Sequence, residues 1–418
     1  HMDIHKENKV SVVIPAYNVG EYIKECIDSL YLQGIQEMEI ICVDDASDDS
    51  TFAILSDYAS NDSRIKLIRH GQNTGAAKSR IEGSELATGK YLYFLDSDDY
   101  LKPGALSRLY EVAEDNSLEV LSFSGEAFLD QSMRNIGDRA YDSQAYIRKG
   151  KYAGVYTGPE LFSEFIENED FNGNLCFQFI LREYYIENNL MNDEHLRCYD
   201  DSPFGLYMLA KRAMCIPDAL YVRRYRKDSL MTSRMSINRL ESMMLMAYKD
   251  FELWGSLGLD ENVNKNLEIY FNDLYGRLRS TAYEMKVRDY TGGLLDGFPA
   301  AKHFFKYYIL NKSRLPGLTE AVIERIRESD ELVIFGAGKV GRNVSEFLDS
   351  EGITDYSFVV SETDGTEKKL RGRVIYELGN APVNWKRCIC IAAVSRSKKK
   401  EISESLESMG AVNIVYVS

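Results

Sequence analysis

The stretch Gly89–Pro103, GKYLYFLDSDDYLKP, runs an apolar strand straight into a cluster of carboxylates. Tyr91 to Leu95 is a short aromatic and aliphatic run of the kind that forms a buried strand, and Asp96, Asp98 and Asp99 follow with no basic residue between them. Three anions at a strand end repel one another. A cation belongs beside them, and hard oxygen ligands suit Mg or Mn better than a soft metal. A plainer role fits the same residues: Pro103 reads as the first residue of a helix through Ala105, Leu106, Leu109 and Val112, which the aspartates would cap. Locally the two readings weigh about the same.

Upstream, Val10 to Ile14 (VSVVI) is a β-branched run that stops at Pro15, and Ile23, Cys26, Ile27 and Leu30 then recur at helical spacing before Gly34. A second strand, Glu39 to Val43, ends in Asp44 and Asp45 ahead of a helix through Phe52, Leu55 and Tyr58. A third strand, Ile65 to Ile68, and a helix over Thr74 to Leu86 complete the run. Such alternation predicts a mostly parallel α/β sheet, whose ligands bind beyond the carboxyl ends of the strands. Three loops gather there: Pro15 to Gly20, Asp44 to Ser50, and Asp96 to Lys102.

Downstream, Leu118 to Phe123 is another strand, and the polar text from Glu126 to Tyr156 is expected to cover the site or shape a substrate groove. A helix over Pro159 to Ile166 and an aromatic stretch, Asn174 to Asn189, lead to a second acidic pair, Asp200 and Asp201. A helix through Phe204, Leu206 and Leu209 follows, then the basic run LYVRRYRKDSLMTS, Leu220 to Ser233. Asn238 to Leu310 is helical by spacing. Within it, KHFFKYYILNKSR, Lys302 to Arg314, suits contact with anionic lipid headgroups or, more simply, a packed helix with a solvated basic face.

Beyond a linker at Leu315 to Leu318 the α/β rhythm restarts. Glu331 to Phe335 is a strand, Gly336 to Gly341 (GAGKVG) fits GxGxxG, Val344 to Leu348 continues as a helix, and Tyr356 to Val360 and Cys388 to Val394 are further strands. This is a small Rossmann-like unit of only about ninety residues, with Glu362 placed as a ribose-binding acid and no catalytic constellation. Docking or oligomerisation suits it as well as a ligand does. The expected domains are 3–235, a helical extension and linker over 236–318, and a small Rossmann-like domain over 319–418.

The chain has 418 residues, room for two or three domains, and a formal charge of -15, which argues against nucleic acid as a ligand. Its seven cysteines are odd in number and mostly in apolar surroundings, the pattern of reduced cytosolic thiols. Neither a signal peptide nor an apolar run long enough to cross a bilayer is present in the sequence. A cytoplasmic protein is expected, with any membrane contact peripheral.

Four ordered motifs together resemble the inverting family-2 glycosyltransferases of GT-A fold: VSVVIPAYN at Val10 to Asn18, EIICVDDASDDS at Glu39 to Ser50, NTGAAKSRIEGSELATGKYLYFLDSDD at Asn73 to Asp99, and YDDSPF at Tyr199 to Phe204. The resemblance covers roughly the first 235 residues. It implies that Pro15 and Tyr17 line a nucleotide base, that Asp45 accepts a hydrogen bond from a uracil ring nitrogen, and that Arg80 faces the donor. Asp96 would meet the donor's ribose, Asp98 would hold Mn or Mg on the diphosphate, and Asp201 would be the general base. Many relatives place a metal-binding histidine three residues before the serine of the late basic motif, where this chain has Arg226. A guanidinium cannot bind a cation. Arg226 and Arg224 are therefore expected to meet diphosphate oxygens directly, or else to be solvated surface arginines.

The resulting expectation is a metal-dependent transferase that moves sugar from a nucleotide donor, a UDP-sugar, to a glycan or lipid-linked oligosaccharide in bacterial surface polysaccharide synthesis. Two alternatives stand beside it: an NAD(P)-dependent oxidoreductase centred on Gly336 to Gly341, and a non-catalytic sugar-nucleotide-binding scaffold. The donor sugar, the acceptor, a homo-oligomeric state and the role of Asp99 are left open by the sequence.

Overall fold

The computed structural model describes residues 8–133, 142–190, 196, 202–227, 229, 235–285, 287, 293–305, 318, 320–350, 352–361, 369–393 and 398–417. The chain divides into two compact units, the first comprising His1–Phe271 with Gly293–Phe298 and the second Asn272–Gly292 with Pro299–Ser418. The stretch 236–318, expected as a separate helical extension, is shared between them.

In the first unit the order is β1 (Val10–Ala16), α1 (Ile23–Leu30), β2 (Met38–Asp44), α2 (Thr51–Asn61), β3 (Ile65–Arg69), α3 (Ala76–Glu85), β4 (Tyr91–Phe94), β5 (Tyr100–Leu101), α4 (Ala105–Asp115) and β6 (Val120–Leu129). Then come α5 (Gly158–Glu167), β7 (Gln178–Leu181), α6 (Arg182–Glu187), α7 (Phe204–Leu209), β8 (Ala213–Tyr225), α8 (Ile237–Ser256) and α9 (Glu261–Glu284), within which the boundary between the units falls. The eight strands form one sheet in the order β3-β2-β1-β4-β7-β6-β8-β5. Its first four neighbours are parallel, as the alternation predicts, whereas β7 runs antiparallel to both β4 and β6.

β1 sits inside the sheet because, Ser11 apart, it is apolar: Val10, Val12, Ile14 and Ala16 pack with Ile40 and Cys42 of β2 and with Ile23, Cys26, Ile27 and Leu30 of α1. It does not stop at Pro15 but continues to Ala16, in register with Val43 and Asp44. Val13 bonds toward the β4 side, accepting from Leu95 N at 3.0 Å, and Ala16 toward β2, accepting from Asp45 N at 2.8 Å. Pro15, two residues past Val13, therefore points its missing N–H to the side where β4 has already ended, so no ladder bond is lost.

Two other expectations change. β6 runs on to Leu129 rather than becoming irregular at Glu126, because nine of its ten residues pair in parallel with β8, with irregularities around Ser124 that absorb the register shift. Helix α4 begins at Ala105, after Pro103, and its N-cap is Gly104 at φ 76°, with no side-chain cap. The aspartates of the opening stretch are therefore not helix caps.

The second unit contains α10 (Pro299–Phe304), α11 (Glu320–Arg327), β9 (Leu332–Phe335), α12 (Lys339–Ser350), β10 (Ser357–Val360), β11 (Lys369–Leu370), β12 (Arg373–Glu377), β13 (Ile389–Ala393), α13 (Lys399–Ser408) and β14 (Ile414–Val417). Its sheet has the order β11-β12-β10-β9-β13-β14, parallel except for β11. The GxGxxG turn joins β9 to α12. Gly336 has φ 106°, and a Cβ there would lie 2.6 Å from Ala393 O; a Cβ on Gly341 would lie 1.8 Å from Gly336 O, while Gly338 has open space. The first and last glycines are thus required by packing of the turn itself. Glu362 lies outside the described residues, as do residues 306–314 of the basic aromatic segment. Among the described residues no helix is long and apolar enough to cross a membrane.

Candidate active site

The site forms where β1, β2 and β4 end. Asp45 follows β2, is 3% exposed, and is gripped from the loop before α3. Its Oδ1 accepts from Thr74 N at 2.8 Å, Thr74 Oγ1 at 3.0 Å and His70 Nδ1 at 2.7 Å, while Oδ2 accepts from Gly75 N at 2.7 Å. His70 also bonds Glu82 through Nε2 at 2.8 Å. Burial pulls its pKa down, but the hydrogen bonds to Asp45 and Glu82 outweigh that and raise it. With one bond from the described residues, Oδ2 retains acceptor capacity. Nearby, Asn18 and Ala46 hold φ of 50° and 60°, an uncommon conformation for non-glycine residues, and Asn18 ties the β1 and β2 loops together through Ser47 Oγ and Asp48 N, each at 3.0 Å. Tyr17, 47% exposed, stands at the rim.

At the end of β4 the three aspartates separate. Asp96 accepts from Arg80 Nη2 at 2.8 Å; Arg80, on α3, is itself 9% exposed. Asp98 accepts from Arg226 Nε at 2.7 Å. Asp99 turns inward, is 3% exposed, and accepts from Tyr221 Oη at 2.5 Å and Arg224 N at 2.6 Å. Burial pushes its carboxyl well above the usual range, and the charges of Asp98 and Asp96 add to that against buried Arg223. Asp99 fastens β8 beneath the acidic loop, which answers the question the sequence leaves open about it.

The two arginines of the basic run behave differently. Arg224 donates through Nε to Asp98 O at 2.9 Å and through Nη1 to Asp130 at 3.0 Å, and it pairs with Glu25. Its guanidinium lies 5.0 Å from the Tyr22 ring centroid and 4.8 Å from that of Phe128. Arg226 also lies over Tyr22, at 4.9 Å, with its Nε on Asp98. Both are on the site, neither is a solvated surface arginine, and only Arg226 touches a carboxylate of the DxD pair. Asp200 and Asp201 lie outside the described residues.

Sequence reasoning missed the residues that hold these groups: Thr74, Gly75 and His70 around Asp45, Tyr22, Glu25 and Asp130 around the arginines, and Tyr221 on Asp99. Thr74 and Gly75 sit inside a recognised motif, and Gly75, at φ 97°, is the one with a backbone signal. The others are remote in sequence and carry no spacing that announces them.

Among the described residues no cluster of three or more His, Cys, Asp or Glu side chains forms a ready metal cage. The donor set fits a hard cation all the same, since Mg and Mn commonly use one or two carboxylates and complete their shell with phosphate oxygens and water. Asp98, with Asp96 two residues away at the same strand end, offers such carboxylates.

An α/β sheet whose parallel half ends in a carboxylate pocket on one side and a DxD loop on the other has the architecture of the GT-A glycosyltransferases. Residues 11–163 match the family described as Glycosyl transferase family 2. The glycosyltransferase EpsJ of Bacillus subtilis is 35% identical over 226 residues, which is 53% of this chain and 62% of EpsJ, so the match spans under two thirds of that relative. Glycosyltransferase GlyG of Streptococcus pneumoniae is 28% identical over 286 residues, 65% of this chain and 88% of GlyG. Among solved structures, S. aureus TarS 1-349 in complex with UDP-GlcNAc shares the fold, with a TM-score of 0.58 at 22% identity over 82% of this chain and 92% of that one.

Proposed function

We propose that the protein is an inverting glycosyltransferase that moves a sugar from a UDP-sugar to a glycan or lipid-linked oligosaccharide acceptor in bacterial surface polysaccharide synthesis, assisted by Mn or Mg. The observation that carries this reading is the convergence of Asp45, Arg80, Asp96, Asp98 and Arg226 on the carboxyl ends of β2 and β4 and the end of β8. The relatives named above are bacterial glycosyltransferases, and TarS holds UDP-GlcNAc, which supports the choice of donor.

In this reading Tyr17 and Pro15 flank the uracil and the spare lone pair on Asp45 Oδ2 accepts its ring N–H, with His70 and Glu82 fixing the carboxylate. Asp96, oriented by Arg80, meets the ribose. Asp98 would hold the divalent ion, which supplies charge neutralisation of the leaving diphosphate without proton transfer. Arg226 exchanges its Asp98 partner for diphosphate oxygens and adds a second positive charge where the leaving group develops negative charge. Arg224 holds the platform from beneath. Asp201 takes the acceptor hydroxyl's proton on the opposite face of the sugar, as direct displacement requires.

The test is UDP-dependent thermal stabilisation with and without Mn, followed by release of UDP from UDP-GlcNAc and related UDP-sugars. Asp98→Ala should abolish the metal-dependent part of the stabilisation, and Asp201→Asn should abolish turnover while leaving UDP binding within about twofold. Equal behaviour of Asp98→Ala and the parent would sink the donor-site assignment, and turnover by Asp201→Asn would sink the base.

A further inference from the structure

The arginines that hold the acidic loop are committed to carboxylates: Arg80 to Asp96, Arg224 to Asp130 and Glu25, and Arg226 to Asp98. Arg223 is not. Its Nη1 is buried without a hydrogen-bond partner, and among the described residues no carboxylate lies within ion-pair reach of its guanidinium. The charge of Asp99 acts on it only from farther away, and the two acceptor bonds of Asp99 go to Tyr221 Oη and Arg224 N instead. A guanidinium stripped of water and left without an acceptor is a donor in want of an anion.

Its surroundings are built rather than incidental. Side chains alternate along β8, so Tyr221, Arg223 and Tyr225 share one face while Arg224 takes the other, over Tyr22. On the Arg223 face the guanidinium lies 5.2 Å from the Tyr146 ring centroid, and Tyr146 is stacked on Phe177 at 5.1 Å and 13°. Gly125 makes room for that stack, since a Cβ there would lie 2.5 Å from the Phe177 ring. The hydroxyls of Tyr146 and Tyr225 meet at 2.8 Å and fix the Tyr146 ring beside the guanidinium. The column also stands on a definite side of the site. In the sheet, β2 with Asp45 lies to one side of β4, and β7, β6 and β8 lie to the other. Tyr93 Oη donates to Cys176 O at 2.9 Å, which ties Phe177 to the strand that carries the acidic loop. With the base at Asp45 and the diphosphate at Asp98, the transferred sugar and the acceptor fall on the Arg223 side.

We propose that Arg223, on its Tyr146 platform, is a specificity residue that binds an oxyanion, a carboxylate or a phosphate, carried by the transferred sugar or by the acceptor. The inference rests on the reading of Asp45 and Asp98 as the donor site. The planar fork of a guanidinium matches both kinds of oxyanion, and a negatively charged group answers its charge where a neutral hydroxyl does not. The aromatic face holds the fork in place without consuming its N–H groups.

The experiment uses the full chain with Mn and titration calorimetry on the parent, Arg223→Gln and Arg223→Lys. One arm compares UDP-glucuronic acid with UDP-glucose, which differ by a carboxylate in place of a hydroxymethyl group. The other saturates the protein with UDP and compares glucuronic acid and glucose 6-phosphate with glucose. In at least one arm the parent should favour the anionic probe by about 10- to 100-fold, the usual worth of a hydrogen bond to a charged group. A preference in the first arm places the anion on the transferred sugar, and one in the second places it on the acceptor. Arg223→Gln should reduce the preference to less than about twofold, and Arg223→Lys, which keeps the charge but not the fork, should lower it at least about threefold. Both variants should bind UDP within about twofold of the parent, which a merely structural role for Arg223 would not combine with a lost preference. No preference in either arm of the parent, or an undiminished one in Arg223→Gln, overturns the proposal. Should Arg223→Gln lose the parental melting transition, Arg223→Lys decides, and an unchanged preference there overturns it. If the parent binds no UDP, the donor reading fails, and the same sugars titrated without UDP decide the role of Arg223.

Discussion

Arg224→Met separates a structural cation from a ligand-binding one. The wild-type guanidinium makes hydrogen bonds to Asp98 O and Asp130 and pairs with Glu25, and its side chain is 8% exposed between two aromatic rings. Methionine keeps most of the packing volume and removes all three polar contacts. Breaking a buried ion pair by removing one partner costs about 3–5 kcal/mol. Asp130 keeps its bond from Ser132 N at 2.9 Å, which puts the cost at the lower end, and the Glu25 contact adds only about 0–1 kcal/mol because Glu25 is 56% exposed. A loss of about 3 kcal/mol lowers the melting temperature of a unit this size by roughly 6–12 °C. Scanning calorimetry on the full chain should show the larger transition falling by that much. UDP affinity measured well below the new midpoint should fall less than about threefold. An unmoved transition with a tenfold weaker UDP affinity would refute the reasoning and make Arg224 a diphosphate ligand instead.

The other expectations concern the neighbouring cation and the second unit. Arg226→His replaces a cation on Asp98 with a metal-ligating imidazole, so the Mn concentration needed for half-maximal UDP stabilisation should fall about 3- to 10-fold, read from thermal-shift titrations; an unchanged Mn midpoint counts against Asp98 as the metal carboxylate. Gly341→Ala would force a Cβ to 1.8 Å from Gly336 O, a backbone atom that cannot step aside, whereas Gly338→Ala meets open space. The first should remove the second unit's cooperative melting and leave UDP binding intact, and the second should melt within about 2 °C of the parent; equal behaviour of the two would contradict the packing reason for the glycines.

How much of this could be read from the sequence follows from how local each determinant is. Strands β1, β2 and β4 and the helices between them announce themselves because each carries its own apolar period and each ends in its own polar loop. The antiparallel β7 and the long β6–β8 pairing do not. β6 turns polar halfway, and Glu126 to Leu129 are strand only because β8, some ninety residues later, supplies their partners. Pro15 misleads for a similar reason: whether a missing N–H matters depends on where β4 ends, which the local sequence does not say. In the second unit the three apolar strands and the glycine turn are legible, while β11, β12 and β14 are short, half-exposed strands that take their pairing from the neighbours.

For the site, the split among the three aspartates is the informative case. In sequence Asp96, Asp98 and Asp99 are interchangeable anions, and a metal, a cap or both would account for them. The fold instead gives each a different cation or donor from a different element: Arg80 of α3 for Asp96, Arg226 just past β8 for Asp98, and Tyr221 with the Arg224 amide for Asp99. The acidic loop after β4 is thus matched residue by residue by partners from α3, from β8 and from the residue just past it. That pairing explains why an arginine can stand where a metal-binding histidine is common. A histidine there would serve the cation and depend on it, whereas Arg226 neutralises Asp98 by itself. On this reasoning the acidic loop can stay folded without a metal ion, and under the proposed function such an ion would act at the leaving diphosphate rather than in holding the loop.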